Sequence, residues 1–512
     1  MCGFFLTNDT LVDKDLSKIL TKRLAFRGPD FQSDIIFHEG WRLYHSRLSI
    51  IATGEAYRQP FFSPSGGVLV FNGEILNFEE LASKYSIKSR NSDTHVLSEL
   101  LELDNFDVNE IDGFFAFAFV NKGGKLTHCA RDRFGVKPLS FIQLGNAISI
   151  SSEASVLSDL YKRDYSPEAL EEYRVFRAPI LNGSYFRDIK VVEPGTCLIN
   201  GKYFDSLRYI PEVYSDMSIL LPELRDVIHQ SITSRLISDV PVGLLYSGGI
   251  DSNLVASNLD DDTPRFTGGL DDGYDMKFAK SMANVNSHII NVSSVQFSER
   301  FREMIILRKE PLSVPNEVIL SFLAEDWAKR GGKVLLSGEA ADELFAGYDR
   351  VFYWALNAKF FSLDEFLSFY AYVPVSDINN RIKQQLEYFF ENLSGLSPFE
   401  KVRQFFIKKH LPILFRRLDF SLMYGGIEGR EPLASFDMFK LALKFRPADL
   451  FVGSLGKYPL RKMASDSLGS EFAFREKVGF PVDIKKVFTG IKSSSRHDNY
   501  EVWCSLNKEL IL

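Results

Sequence analysis

Cysteine is scarce in this sequence. The four present in 512 residues (Cys2, Cys129, Cys197 and Cys504) lie far apart and form no CxxC pair. That spacing excludes a disulfide framework and a thiolate zinc site, and suits reduced thiols in a cytoplasmic protein. The eight histidines are as dispersed and form no HxxxH or HxH pair, so a transition metal is not expected. No run of about 18 or more uncharged apolar residues is available to span a bilayer, and the start lacks the basic region and long apolar segment of a secretory signal. Basic runs are also missing. Lys and Arg number 60 against 67 Asp and Glu, a net charge of −7, which argues against nucleic acid or an anionic membrane as partner. Internal repeats and low-complexity segments are absent.

What the chain has is length enough for two or three domains, and two textures. Residues 1 to about 200 read as short apolar runs between turn signals, such as GGVLVFNGEILN (66–77), GFFAFAFV (113–120) and GNAISISSE (145–153), with a helical interlude at 94–103. From about 216 the pattern turns to long helical segments with occasional buried strands; SILLPELRDVIHQSITSRLI is followed by a strand-like PVGLLY. The join falls in a polar, aperiodic stretch at 200–216. The spacing predicts an α+β domain over 1–205, then an α/β domain with a helical C-terminal part over 216–512.

The sharpest motif follows the apolar strand Val240–Tyr246: Ser247-Gly248-Gly249-Ile250-Asp251-Ser252, running into a helix. Two glycines let the backbone turn its N–H groups onto a phosphate, with a helix N-terminus behind them. Ser247 and Ser252 offer hydroxyls, and Asp251 is placed to hold a Mg2+ that bridges phosphates. No GK[ST] follows, so this is not a loop that transfers a γ-phosphate. The plain alternative is an SGG turn between strand and helix. A second strand ends in Ser337-Gly338-Glu339 with Asp342-Glu343 opening a helix; there, acidic residues at a helix start are ordinary capping material.

The first motif resembles the pyrophosphate loop of ATP pyrophosphatases, and SGExxDExFxGY resembles the second signature of the asparagine synthetase (glutamine-hydrolysing) family. The N-terminal half carries the same resemblance in order: Met-Cys-Gly, RGPD (Arg27–Asp30), HSRLSII (His45–Ile51), NGEILN (Asn72–Asn77), Asp93, GFFAFAF, RDRFGVKPL (Arg131–Leu139), SSE and PGT. It runs from residue 2 to about 485 and includes GKYPLRKM and REKVGFPVD (475–483). It implies an N-terminal-nucleophile hydrolase fold, two sheets between helices (αββα), followed by an ATP-pyrophosphatase domain. A homodimer is allowed for.

The implied chemistry assigns each residue a task. With Met1 removed, the α-amine of Cys2 takes the thiol proton and the thiolate attacks the amide of glutamine. The resemblance gives Arg47 the glutamine α-carboxylate, with Leu48, Ser49, Ile50 and Ile51 lining the same site. Asn72 and the Gly73 N–H form the oxyanion hole, and Glu74 and Asp93 hold the α-amine. In the second domain ATP lies on Tyr246, Ser247, Gly248, Gly249, Asp251, Ser252, Gly268, Ser337 and Gly338. Asp251 and Asp342 share Mg2+, Glu339 lies by the acceptor carboxylate, and Lys457 contacts the α-phosphate. A dry internal passage is expected to carry ammonia between the sites. Duller readings stand beside these: Asn72-Gly73 is a hairpin-turn signal, Arg47 a surface charge, and Lys457 a solvated residue before a helix.

Four departures from the family pattern stand out: Ala52 in LSIIA, Tyr246 where Leu is usual, Gly268 where Val is usual, and KEPLSVPNEVIL (309–320) with EGREPLASFD (428–437) beyond it. They leave every catalytic group in place and bear on the acceptor. The lead reading is aspartate to asparagine, with Arg430 a candidate for the cation that a second carboxylate needs. The runner-up is the same chemistry on another carboxylate, such as a sugar uronic acid in surface-polysaccharide synthesis. A non-catalytic nucleotide- or glutamine-binding homologue would be expected to have lost Cys2, Arg47, Asp251 or Asp342, and all four are present.

Overall fold

The structure, a computed structural model, describes residues 2–12, 15–270, 285–475, 482, 484–488 and 496–512. Two antiparallel sheets form the N-terminal half. One runs in the order Lys190–Val191, Ser140–Leu144, Ala147–Ser151, Cys2–Thr7, Trp41–Arg47, Phe31–Gln32, with Ile36–His38 also paired to Trp41–Arg47. The other runs Gly201–Lys202, Thr196–Cys197, Leu126–Arg131, Gly113–Val120, Val68–Ile75, Phe61–Phe62.

Strand periodicity explains the layers. Along Cys2–Thr7, Phe4 and Leu6 enter the core between the sheets, while Phe5 packs with Leu16, Leu20, Leu24 and Leu157 of the helices outside. Along Gly113–Val120 the small residues Ala116 and Ala118 point inward, and Phe115, Phe117 and Phe119 point out to Leu81, Val96, Leu97 and Leu100. Helices therefore cover both outer faces, and the αββα sandwich is formed.

The C-terminal half is built on a five-stranded sheet whose pairs are all parallel: Ser287–Val292, Arg265–Leu270, Val242–Leu245, Val334–Leu336, Glu428–Arg430. The chain leaves Val242–Leu245 to one side and returns on the other, which makes the carboxyl ends of Val242–Leu245 and Val334–Leu336 a topological switch point, where a crevice opens in such sheets. Both Ser-Gly motifs leave from there. Phenylalanine concentrates in the helices that follow, where ring centroids approach to 4.2 Å (Phe361–Phe390) and 4.9 Å (Phe366–Phe405).

The halves share one core. Leu76, Phe114, Phe134 and Val136 of the first lie in the same buried cluster as Leu220, Leu336, Ala340 and Leu433 of the second. No helix among the described residues is long and apolar enough to cross a membrane.

Candidate active sites in the two halves

Cys2 is buried at the start of its strand, in register with Arg47. Its backbone nitrogen donates to Asn72 Oδ1 at 2.8 Å, and its carbonyl oxygen accepts from Arg27 Nε at 3.0 Å. Burial pushes the thiol up; the amino-terminal charge, a hydrogen bond from the Leu48 backbone and the Arg47 charge pull it back. A thiol so placed is neutral at rest, and a base in contact must take its proton.

Asn72 and Gly73 sit in the middle of the strand Val68–Ile75, opposite Ala116 and Phe115, so the hairpin reading fails. Gly73 has φ +135°, and a Cβ there would lie 2.0 Å from the Phe114 carbonyl oxygen, so only glycine fits. Asn72 Nδ2 is buried without a hydrogen-bond partner. An unsatisfied buried donor costs about 1–3 kcal/mol, and one beside a nucleophile is suited to a developing oxyanion.

Glu74 and Asp93 are buried together, and burial raises the pKa of both carboxyls; for Glu74 the neighbouring charges of Asp93 and Glu428 add to it. Two such carboxyls form a site that gains from a cation. Arg47 turns its guanidinium to the carbonyls of Ala52 (2.6 Å) and Gly54 (3.0 Å) and so holds the 51–54 loop. The Leu48 and Ile50 side chains pack on Val334 and Met423 of the other half, and the Ile50 carbonyl accepts from the Asp239 N–H at 3.0 Å. Ser49 N–H donates to Asp30 Oδ2 at 2.7 Å.

At the switch point, Gly248 takes φ +68° and the Ser247 and Ser252 hydroxyls lie 3.1 Å apart. The helix behind, Ile250–Ala256, has only seven residues, so its dipole is a small part of any phosphate attraction. The larger charge is Lys457. Its ammonium lies 2.7 and 2.9 Å from the two Asp251 oxygens and 2.8 Å from Asp342 Oδ1, with only 4% of its side chain exposed. The solvated-lysine reading is thereby excluded. A Cβ on Gly347 would lie 2.0 Å from Asp342 Oδ1 and 2.1 Å from Lys457 Cε, and one on Gly338 2.8 Å from Asp251 Cβ; these glycines let the loops close on one another. Gly347 went unread in the sequence, although it stands inside the quoted motif.

Ser337 N–H donates to the Arg430 carbonyl at 2.9 Å, and Glu339 N–H to Ser337 Oγ at 3.4 Å. Glu343 is raised to about 8 by burial and the adjacent Asp342, and accepts from Tyr348 Oη at 2.6 Å.

The departures have local causes. At Gly268 a Cβ would meet Leu323 Cδ2 at 2.6 Å, so a larger residue there requires the Leu323 side chain to shift. Tyr246 is buried with its hydroxyl donating to Asn253 Oδ1 at 2.7 Å. Ala52 takes φ +51° and donates its N–H to Asp239 Oδ2 at 2.7 Å, so a carboxylate from the second half serves this loop. Arg430 is not a spare cation. It is fully buried, 2.5 Å from Glu428, and donates to the carbonyls of Arg235 and Ile237. It stands 3.9 Å from Glu74, beside the first site. The tail motif 475–483 lies, apart from Arg475 and Val482, outside the described residues.

Comparison with known proteins finds two family domains along the chain. The family description "Asparagine synthase" matches residues 223–499, and "Glutamine amidotransferase domain" matches 1–209. A Bacillus subtilis protein named asparagine synthetase [glutamine-hydrolyzing] 1 is 28% identical, covering 95% of this chain and 87% of its own length. A Methanocaldococcus jannaschii protein named putative asparagine synthetase [glutamine-hydrolyzing] 2 is 26% identical over 68% of this chain and 76% of its own length. The chain belongs to the asparagine synthase family, with a glutamine amidotransferase domain ahead of the synthase domain.

Proposed function

We propose that this protein is a glutamine-dependent, ATP-consuming ligase that converts a carboxylate to its amide, with aspartate as acceptor and asparagine as product. The observation that carries the reading is the Lys457 ammonium held between Asp251 and Asp342, carboxylates supplied by both loops at the switch point.

In the first half, loss of Met1 frees the Cys2 α-amine, which Asn72 Oδ1 already holds. The amine takes the thiol proton, Sγ attacks the glutamine side-chain carbonyl, and the oxyanion meets Asn72 Nδ2 and the Gly73 N–H. The C–N bond breaks to give ammonia and a thioester, which water hydrolyses to glutamate. Glu74 and Asp93 receive the substrate ammonium, and Arg47 its carboxylate.

In the second half, an acceptor carboxylate oxygen attacks the α-phosphorus of ATP, pyrophosphate leaves, and ammonia displaces AMP from the acyl-adenylate. Lys457 balances the charge that builds on the α-phosphate. Asp251 and Asp342 would hold Mg2+, which would supply positive charge against the pyrophosphate. Two carboxylates that now share one ammonium fit that ion, because Mg2+ commonly binds through one or two carboxylates plus substrate phosphates.

One observation favours a second acceptor class. In the 309–320 segment and its neighbours, Arg308 and Arg416 are taken by Glu310 and Glu317, and Arg430 by Glu428. An acceptor with a single carboxylate, such as a sugar uronic acid, needs no further cation. The test is AMP and pyrophosphate formation at saturating ammonia across a panel of acids. Stimulation by aspartate supports the lead; background with aspartate and stimulation by a uronic acid transfers the reading to the second.

A further inference from the structure

The glutaminase nucleophile is tied to the opposite half of the molecule. Arg27 is fully buried and uses all of its guanidinium. Its Nε donates to the Cys2 carbonyl at 3.0 Å, Nη1 to Glu153 Oε1 at 2.7 Å and to Asp419 Oδ2 at 2.8 Å, and Nη2 to Asp419 Oδ1 at 3.3 Å. Glu153 belongs to the first half. Asp419 lies on the helix Leu411–Tyr424 of the second and is itself buried.

We propose that Asp419, a residue of the synthase half, is a positioning residue for the glutaminase half-reaction, acting on Cys2 through Arg27. The inference rests on reading Cys2 as the glutaminase nucleophile.

Asn72 at the nitrogen and Arg27 at the carbonyl hold the Cys2 backbone, in addition to its strand pairing with Arg47. The Arg27 hold reaches the other half directly, through Asp419. A guanidinium paired bidentately with a carboxylate has its plane fixed by that carboxylate, so Asp419 sets the direction in which Arg27 Nε meets the Cys2 carbonyl. Around Asp419 stand Lys137, whose ammonium is 3.9 Å from Oδ1, and Arg416 one turn earlier on the same helix, which is engaged with Glu310. A buried run of charge therefore extends from Cys2 to the 309–320 segment, and the nucleophile is fully oriented only when the two halves are docked.

The experiment compares wild type with Asp419→Asn, which keeps the side-chain shape and removes the charge, and with Cys2→Ala. Glutaminase kcat and KM, ammonia-dependent pyrophosphate release and thermal midpoint are read on the full-length chain. Misplacement of the nucleophile by a fraction of an ångström should lower glutaminase kcat by about 10-fold or more, with KM for glutamine and ammonia-dependent synthesis unchanged. Asp419→Glu should recover part of the loss.

Wild-type glutaminase kcat in Asp419→Asn overturns the inference. A parallel fall in both activities with a lowered thermal midpoint also overturns it, since Asp419 would then be structural only. Glutaminase activity in Cys2→Ala would sink the reading of Cys2 itself, an outcome distinct from either.

Discussion

The Lys457 ammonium lies 2.7 Å from Asp251 Oδ2, although 206 positions separate the two in sequence. That contact joins the residue ahead of the Tyr458–Leu468 helix to the first Ser-Gly loop, and the same ammonium reaches Asp342 of the second loop. Three charges from three segments thus form one unit at the end of the parallel sheet. Removing Lys457 leaves two carboxylates facing each other, whereas removing either carboxylate leaves the ammonium paired with the other.

For Asp251→Ala and Lys457→Met, ammonia-dependent synthesis should fall about 10²–10³-fold, the usual loss for an electrostatic contact to a developing charge. Glutamine hydrolysis, which uses the other site, should persist. Pyrophosphate release and glutamate formation, measured on the same preparations, separate the two outcomes.

Gly347→Ala tests how tightly these charges are packed. The added methyl would stand 2.0 Å from Asp342 Oδ1, so the carboxylate must move. Synthesis should drop about 10-fold or more, because sub-ångström placement governs such steps. Glutaminase activity should stay at the wild-type rate.

In the first half the expected sensitivity is at Asn72. Replacing it with Ala removes both the hold on the Cys2 nitrogen and the buried Nδ2 that has no other partner. Glutaminase kcat should fall about 10²–10³-fold, while synthesis from added ammonia continues. Steady-state kinetics with each nitrogen source provide the check.

Much of this was legible beforehand, and the exceptions share a cause. The short apolar runs between turn signals, such as 113–120, and the change of period after 216 mark the strands and the later helices, because local pattern records which residues are buried. The Asn72-Gly73 pair reads equally well as a turn. What decides against it is the Phe114 carbonyl on the neighbouring strand, a contact no local pattern carries. Arg27 stood inside a quoted motif without a role, since Asp419 lies 392 positions away. The sequence offers Arg430 as a candidate cation for an acceptor, and the fold instead encloses it with Glu428 beside Glu74. For Lys457 the local pattern alone offers a solvated lysine before a helix, and only the family resemblance assigns it the α-phosphate; its burial follows from two carboxylates that the fold brings together.

A further expectation concerns Glu431, at the junction of the halves. It lines a small cavity of about 10 Å3 with Phe114, Phe134 and Arg235. Burial raises its carboxyl from the ordinary 4.5 to about 7, a rise that Lys137 opposes and that Asp419 and Asp132 reinforce. The folded chain therefore binds the extra proton between these values, and the group's contribution to stability declines as pH rises through that window. Glu431→Gln should remove the decline. The variant's thermal midpoint relative to wild type should increase from pH 5 to pH 8, by an amount on the order of 3 kcal/mol in stability at most. Melting curves across that range measure it.

The most direct measurement of the central claim is pyrophosphate release by Cys2→Ala with ATP–Mg2+ and the acceptor, once with glutamine and once with ammonium as nitrogen source. The account predicts no glutamine-dependent amide formation and a wild-type rate with ammonium, because nitrogen release and carboxylate activation occupy separate sites. Amide formation from glutamine at the wild-type rate in this variant would contradict it.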